Sequence, residues 1–336
     1  MKKTLLFTLL AAVAFSAEGY KVLSKIKVGG TGGWDYLNVD PATQRVYASH
    51  GGIVEVVDLK AGKVVGQVTQ LHGVHGIAVA SDVGKGFISN GQSNSVTIFD
   101  LKTLEKTGEP AVGGQNPDAI CYEPKTQRIF TMNGRTNDST AINAKNNEIL
   151  ATFPVGEKPE NCAVDGAGKL YANIENSSEV VEIDAAKPAV TRRASLAPCE
   201  GPSGLAIDVK NKKLFSVCSN KMMAVTDIAT MKVIATPAIG SGADGAGFDS
   251  GLAFSSNGDG TMTIVKPVNG KYEAVDTVTT ERGARTMTVD ATTHRIYMLA
   301  AEYGPAPAAK EGQKAARPPV LPDSFQIGRA SCRERV

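Results

Sequence analysis

The sequence predicts an all-β chain built as seven four-stranded antiparallel blades, and three observations carry that expectation. The first is an internal repeat. A short apolar strand ending in an acidic or turn residue recurs at Leu37-Asn38-Val39-Asp40, Ile77-Ala78-Val79-Ala80, Ile120-Cys121-Tyr122-Glu123, Cys162-Ala163-Val164-Asp165, Leu205-Ala206-Ile207-Asp208, Ala246-Gly247-Phe248-Asp249 and Met287-Thr288-Val289-Asp290. Positions 39, 79, 122, 164, 207, 248 and 289 stand 40 to 43 residues apart, which is the length of one β-propeller blade. The second is composition. Runs rich in Val, Ile and Thr are separated by Gly, Asn, Asp and Pro clusters, the pattern of short strands and tight turns. The third is negative: no long stretch carries a helical period. One blade cannot bury both faces of its sheet, whereas blades stacked around an axis do so and leave few exposed edges. Seven blades account for residues 17–326 as one domain, although the length alone would suggest two.

Within each repeat the strands follow in order. The inner strand comes first. A second follows a turn, as in Arg45-Val46-Tyr47-Ala48-Ser49 and Gln127-Arg128-Ile129-Phe130-Thr131. A third often ends in Asp, as in Val56-Val57-Asp58, Ile98-Phe99-Asp100 and Ala224-Val225-Thr226-Asp227. A fourth follows another turn, as in Gly62-Lys63-Val64-Val65 and Lys232-Val233-Ile234-Ala235. The last repeat is short of one strand. Its third begins at Ser324-Phe325-Gln326 after a Pro/Ala/Lys-rich stretch at residues 304–323. That stretch reads as a surface loop, because its prolines cannot occupy a central strand. The alternating segment from Tyr20 to Val28 supplies the missing fourth strand and closes the ring by joining the two chain ends.

The two termini are set apart. Residues 1–16 have the charged start Lys2-Lys3, an apolar stretch and the cleavage-like Ala14-Phe15-Ser16, which together read as a secretory signal peptide. A periplasmic or secreted monomer without a membrane span is expected. Residues 327–336 resemble the translation of a sequencing adapter and are expected to lie outside the fold. Gly328, Arg329 and Ser331 are poor residues for a central strand, so a weak ring closure is expected there. The formal charge is +2, and setting aside Lys2, Lys3, Arg329, Arg333, Arg335 and Glu334 leaves about −2. Neither value is a basic footprint, which argues against nucleic acid as a partner. Export permits disulfides. Cys199 and Cys218 fall near one end of the fifth blade and are expected to pair, while Cys121 and Cys162, at different strand phases, read as unpaired core residues.

With the strands in place, the chain resembles the YVTN-repeat propellers of bacterial extracytoplasmic proteins. The resemblance rests on Arg45-Val46-Tyr47-Ala48-Ser49, Lys169-Leu170-Tyr171-Ala172-Asn173 and the turn Val39-Asp40-Pro41-Ala42-Thr43-Gln44-Arg45. It covers roughly Tyr20 to Gln326 and implies the architecture. Relatives include binding proteins, a nucleic-acid-binding propeller and, more distantly, lactonases and electron-transfer subunits, and none of their catalytic sets matches residue by residue.

Equivalent positions in superposed repeats form rings. Four residues before the reference positions stand Asp35, His75, Asp118, Glu160, Ser203, Asp244 and Arg285. Six of these are ionisable, as expected of a polar-ligand site at the channel mouth. A second ring, at the end of the second strands, holds His50, Asn90, Asn133 and Asn257 beside apolar residues. Asp35, His50, His75, Asn90, Asn133, Asp118, Glu160, Asp244, Asn257 and Arg285 are therefore the candidate ligand-binding residues. His50, His75, Asp35 and Asp118 could hold a divalent metal ion through mixed nitrogen and oxygen donors. The alternative is a structural one, in which polar residues simply cap blade-entry turns. The Gly240-Ser241-Gly242-Ala243-Asp244-Gly245 segment fits a dinucleotide-binding glycine spacing, but it precedes a strand rather than opening a helix, so it reads as an inter-blade loop.

The expected function is binding of a small polar or cationic ligand, or of a protein partner, at the mouth. The alternative is a lactonase-like or other hydrolytic or isomerising enzyme, with catalytic candidates His75, Glu160 and Arg285.

Overall fold

The computed structural model describes residues 19–307 and 318–332. Residues 1–16 and part of the 304–323 stretch lie outside them. Seven four-stranded antiparallel sheets form a β-propeller. Blades 1 to 6 each take four consecutive strands, beginning with the inner strands Leu37–Asp40, Val74–Ala80, Pro117–Glu123, Pro159–Val164, Pro202–Asp208 and Ala243–Asp249. Blade 7 is composite. Met287–Asp290, Arg295–Ala300 and Gln326–Cys332 are its first three strands, and the N-terminal Tyr20–Lys27 is its outermost. No described helix is long and apolar enough to cross a membrane.

The repeat signature has a local cause. The acid that ends the inner strand holds the following turn. Asp40 accepts from the Ala42 N–H at 3.1 Å and the Thr43 hydroxyl at 2.7 Å. Asp290 does the same for the Thr292 N–H and the hydroxyls of Thr292 and Thr293. The turn then needs a left-handed residue before the second strand, found at Gln44, Gln127, Lys212 and His294. Acids ending the third strands act alike: Asp58 accepts from Lys60 and Ala61, and Asp100 from Lys102 and Thr103. These carboxylates satisfy turn N–H groups that would otherwise lack partners.

The core lies between blades, where Val, Ile, Leu and Phe side chains of neighbouring sheets interleave. Glycine sets how closely the inner strands approach. A Cβ on Gly204 would stand 2.6 Å from the Asp244 carbonyl oxygen, and one on Gly76 3.0 Å from that of Asp118. These glycines directly follow ring positions 203 and 75, so they draw the ring residues of adjacent blades together.

The C-terminal segment corrects an expectation. Ile327–Cys332 is not outside the fold. It pairs on one side with Tyr20–Lys27 and on the other with Arg295–Ala300, and Ile327, Ala330 and Ser331 are buried. The apolar positions alternate well enough to face both neighbouring blades. The fit is imperfect, because the buried Gln326 Nε2 and Arg329 Nε have no hydrogen-bond partner.

Both cysteine pairs form disulfides. Cys199–Cys218 joins positions with Cα atoms 5.8 Å apart. The Asp208↔Lys213 register leads, through an irregularity between Pro202 and Leu205, to Pro202 opposite Cys218. The expectation of free thiols at Cys121 and Cys162 is corrected: they are bonded, with Cα atoms 6.2 Å apart. Strand phase decides facing within one sheet, but these residues lie on inner strands of two sheets that meet at the axis, where phase does not govern contact.

Candidate functional site

The mouth is built by the residues that open the inner strands. Hydroxyl groups fix their backbones. Ser89 of blade 2 donates to the Asp118 carbonyl, Ser256 to that of Arg285 at 2.5 Å, and Thr286 to that of Asp35 at 2.7 Å. Each of these bonds crosses from one blade to the next, so it places a ring residue relative to its neighbour.

The ring falls into three charge cells. In blades 1 to 3, His75 Nδ1 is 2.7 Å from Asp35 Oδ2 and 3.7 Å from Asp118 Oδ1. One donor atom from each of the three residues lies within 4.8 Å of the others. In blade 4, Lys158 pairs with Glu175 and, at 3.3 Å, with Glu160. In blades 6 and 7, Arg285 Nε is 3.2 Å from Asp244 Oδ2. Ser203 carries no charge; its hydroxyl donates to the Ala243 carbonyl and lies within reach of Asp244.

Burial raises three of the mouth carboxyls, those of Asp118, Glu160 and Asp244. Asp118 is pushed up to about 6, chiefly by burial, against the attraction of His75 and with the repulsion of Asp35 and Asp244. Asp244 is also raised to about 6 by burial, which Arg285 opposes. Glu160 and Glu175 behave as a pair. Burial and the bond from Glu160 to Glu175 raise Glu160 to about 9, and the bonds from Glu160 and Lys158 hold Glu175 low against its own burial. Burial depresses His75, but the Asp35 bond and the Asp118 charge outweigh it and raise its basicity.

Tyr36 forms the floor. It follows Asp35 on blade 1 yet packs against the cluster shared by blades 3 and 4, so its ring crosses the axis. Burial, then the charges of Asp118, Asp35, Glu160 and Asp244, hold its phenol well above the usual range. A channel of about 760 Å³ lies beneath, lined mainly by apolar groups such as Ile77, Ala163, Ile207 and Val289, and no ring carboxylate reaches it.

Several candidates lie elsewhere. His50 does not join His75. It is buried, stacks on Phe325 with ring centroids 4.1 Å apart, and has no hydrogen bond at either nitrogen. A Cβ on Gly30 would stand 2.8 Å from its ring, so the N-terminal loop covers it. The three asparagines of the second ring are buried and hold their own hairpins. Asn90 donates to Ser95 and Thr97, Asn133 to Asp138 and Thr140, and Asn257 to Thr261 and Thr263. Residues at the end of a second strand point into the blade, not the channel. The three catalytic candidates His75, Glu160 and Arg285 belong to three different cells. Sequence reasoning missed Lys158 and Tyr36. Each lies one or two residues from a ring position, and only the three-dimensional ring shows that they face the axis.

No protein-family model matches the chain, and no curated protein matches it. Solved structures do: 1831 chains match, so the architecture is widespread and carries no activity by itself. One is the structure of U3-55K, with a TM-score of 0.72 and 8% identity over 93% of this chain and 99% of that one. At that identity the likeness establishes the seven-bladed fold alone. The chain is thus a seven-bladed β-propeller.

Proposed function

We propose that this chain is an extracytoplasmic binding propeller of the YVTN-repeat kind, whose mouth takes a cation in the cell of Asp35, His75 and Asp118. One observation carries the reading. Of the three carboxylate cells at the mouth, this one alone has no lysine or arginine within ion-pair distance among the described residues, although the charge of Lys158 is felt at Asp118. Two acids and an imidazole held together without a fixed cation are stabilised by one that binds. A divalent metal ion suits the mixed donors and their spacing, and the ammonium group of a small molecule suits the charge. Two disulfides accord with an oxidising compartment.

The enzyme alternative draws less support. A general base needs an imidazole nitrogen free to meet substrate. His75 turns Nδ1 to Asp35, and the other two candidates, Glu160 and Arg285, are engaged in separate cells with Lys158 and Asp244. Native mass spectrometry with metal analysis, on protein prepared from the periplasm, tests the proposal. A bound cation or small molecule that is lost in Asp118→Asn and in His75→Gln supports it. Binding that is equal in the wild type and both variants would sink it.

A further inference from the structure

A groove of about 540 Å³ opens beside Arg285, at the mouth end of the junction between blades 6 and 7. Arg282 and Arg285 both line it and both are exposed. Arg285 engages Asp244 through Nε, which leaves the outer edge of its guanidinium unused by that pair. Arg282 has no acidic partner among the described residues. The groove contains one acid, Asp259, and that acid is occupied. Its Oδ2 accepts from the Ser241 N–H at 2.7 Å and the Ser241 hydroxyl at 3.1 Å, and its Oδ1 from the Thr261 hydroxyl at 2.6 Å.

The walls are preformed. Gly258 N–H donates to the Gly242 carbonyl at 2.9 Å, and Gly283 N–H to the Gly258 carbonyl at 2.9 Å. Three loops from two blades are thereby laced together. A Cβ on Gly258 would come within 3.1 Å of the Gly242 carbonyl oxygen, so glycine permits the lacing and leaves a floor of bare backbone. The Gly240–Gly245 segment supplies part of this wall, which gives its glycines a role that has nothing to do with a helix.

We propose that this groove is a carboxylate subsite and that the ligand of the mouth is dipolar, with its anionic end on Arg282 and Arg285. Asp244 and Asp259 together offset the two guanidinium charges, so the groove suits a singly charged carboxylate rather than a doubly charged phosphate. The planar donor fork of arginine suits the same group. The cationic end falls in the cell of Asp35, His75 and Asp118, and this half rests on the reading above. That cell is one ring position away: Thr286, next to Arg285, hydrogen-bonds the Asp35 carbonyl at 2.7 Å. A small molecule bearing an amino group and a carboxylate at opposite ends spans the two.

The test is an NMR-detected titration of the full chain with propylamine, with butyrate, and with ω-amino carboxylates of increasing length. Wild type, Arg282→Gln and Asp118→Asn are compared. Arg282 is exposed and unpaired, so its variant keeps the fold. At least one dipolar probe should bind about tenfold tighter than either single-ended probe, the scale of one well-placed charged contact. Arg282→Gln should remove that gain and leave propylamine unchanged, while Asp118→Asn should weaken propylamine and leave butyrate unchanged. If butyrate and every dipolar probe are indifferent to Arg282→Gln, the subsite is overturned. If propylamine fails while butyrate binds in an Arg282-dependent way, the subsite stands and the cation reading falls.

Discussion

Carboxylates form rings at both ends of this propeller, and the two rings obey opposite physics. At the turn end, Asp40, Asp208 and Asp290 accept hydrogen bonds from the turns that they close. Burial works to raise Asp290, yet bonds from Thr292, Gln44 and Thr293 outweigh it and keep the group low. Asp227 falls to about 2, first through Lys213 and then through the Thr230 N–H and hydroxyl. At the mouth, Asp118 and Asp244 rise to about 6 because burial outweighs the cations and donors that reach them. The same residue type is structural where the backbone satisfies it and available where the backbone does not.

The largest expected effect comes from exchanging the two roles. Asp290→Ala strips donors of a buried acid at the turn end and should cost about 2–4 kcal/mol, the range for losing several bonds to a charged group. Asp118→Asn at the mouth should cost nothing, and above pH 6 it should stabilise the ligand-free protein. Urea denaturation of the two variants at pH 8 checks this, and equal losses would erase the contrast.

Next comes pH. Asp118 and Asp244 stay protonated in the folded chain up to about pH 6, whereas the unfolded chain loses those protons near pH 4. The folded state therefore binds more protons in that window, and its stability falls as pH rises through it. The raised His75 acts with the same sign, since its contribution is lost as pH climbs through the folded value. The fall should be about 2 kcal/mol between pH 5 and 7, above the range in which the lowered turn-end carboxyls act with the opposite sign, and after allowance for partial exposure. Denaturant midpoints in metal-free buffer measure it, and a stability that rises with pH over this range would contradict the assignment.

Cation binding should run the other way. A metal entering the cell displaces the proton that lies between His75 Nδ1 and Asp35, so binding releases protons and strengthens with pH. The thermal shift produced by Mn²⁺ or Zn²⁺ should grow by a few degrees from pH 5.5 to 7.5, the scale of about 1 kcal/mol in a domain of this size. In His75→Gln that pH dependence should flatten.

The smallest effect belongs to a half-buried arginine at neither end. Arg329 sits in the third strand of blade 7 with its buried Nε unpaired. Arg329→Val should raise stability by about 1 kcal/mol, the penalty of an unsatisfied buried donor. An unchanged denaturation midpoint would show that solvent already satisfies that guanidinium.

The architecture was legible in the chain because its cause is local and repeated. Each blade announces itself through an apolar strand, an acid that caps a turn, and a left-handed residue such as Gln44 or Gln127. Position in the repeat sufficed to place Asp35, His75 and Asp118 on one ring, because equivalent residues in stacked units must be neighbours. The N-terminal strand could be assigned to the last blade because that blade lacked one.

Position did not reveal direction or partner. His50 and the ring asparagines share a repeat position, but whether a side chain at a strand end turns to the channel or into its own hairpin depends on the bonds awaiting it, and those come from other strands. The Cys121–Cys162 bond joins two sheets, so no pairing rule within one sheet could foresee it. The division of the mouth into charge cells was equally hidden. It depends on Lys158 and Arg285 pairing with Glu160 and Asp244 and on no such group coming within ion-pair distance of Asp118 among the described residues. Sequence determines which groups reach the ring, because the repeat is one-dimensional. Tertiary structure alone decides which charges are cancelled, because cancellation depends on distances across the axis.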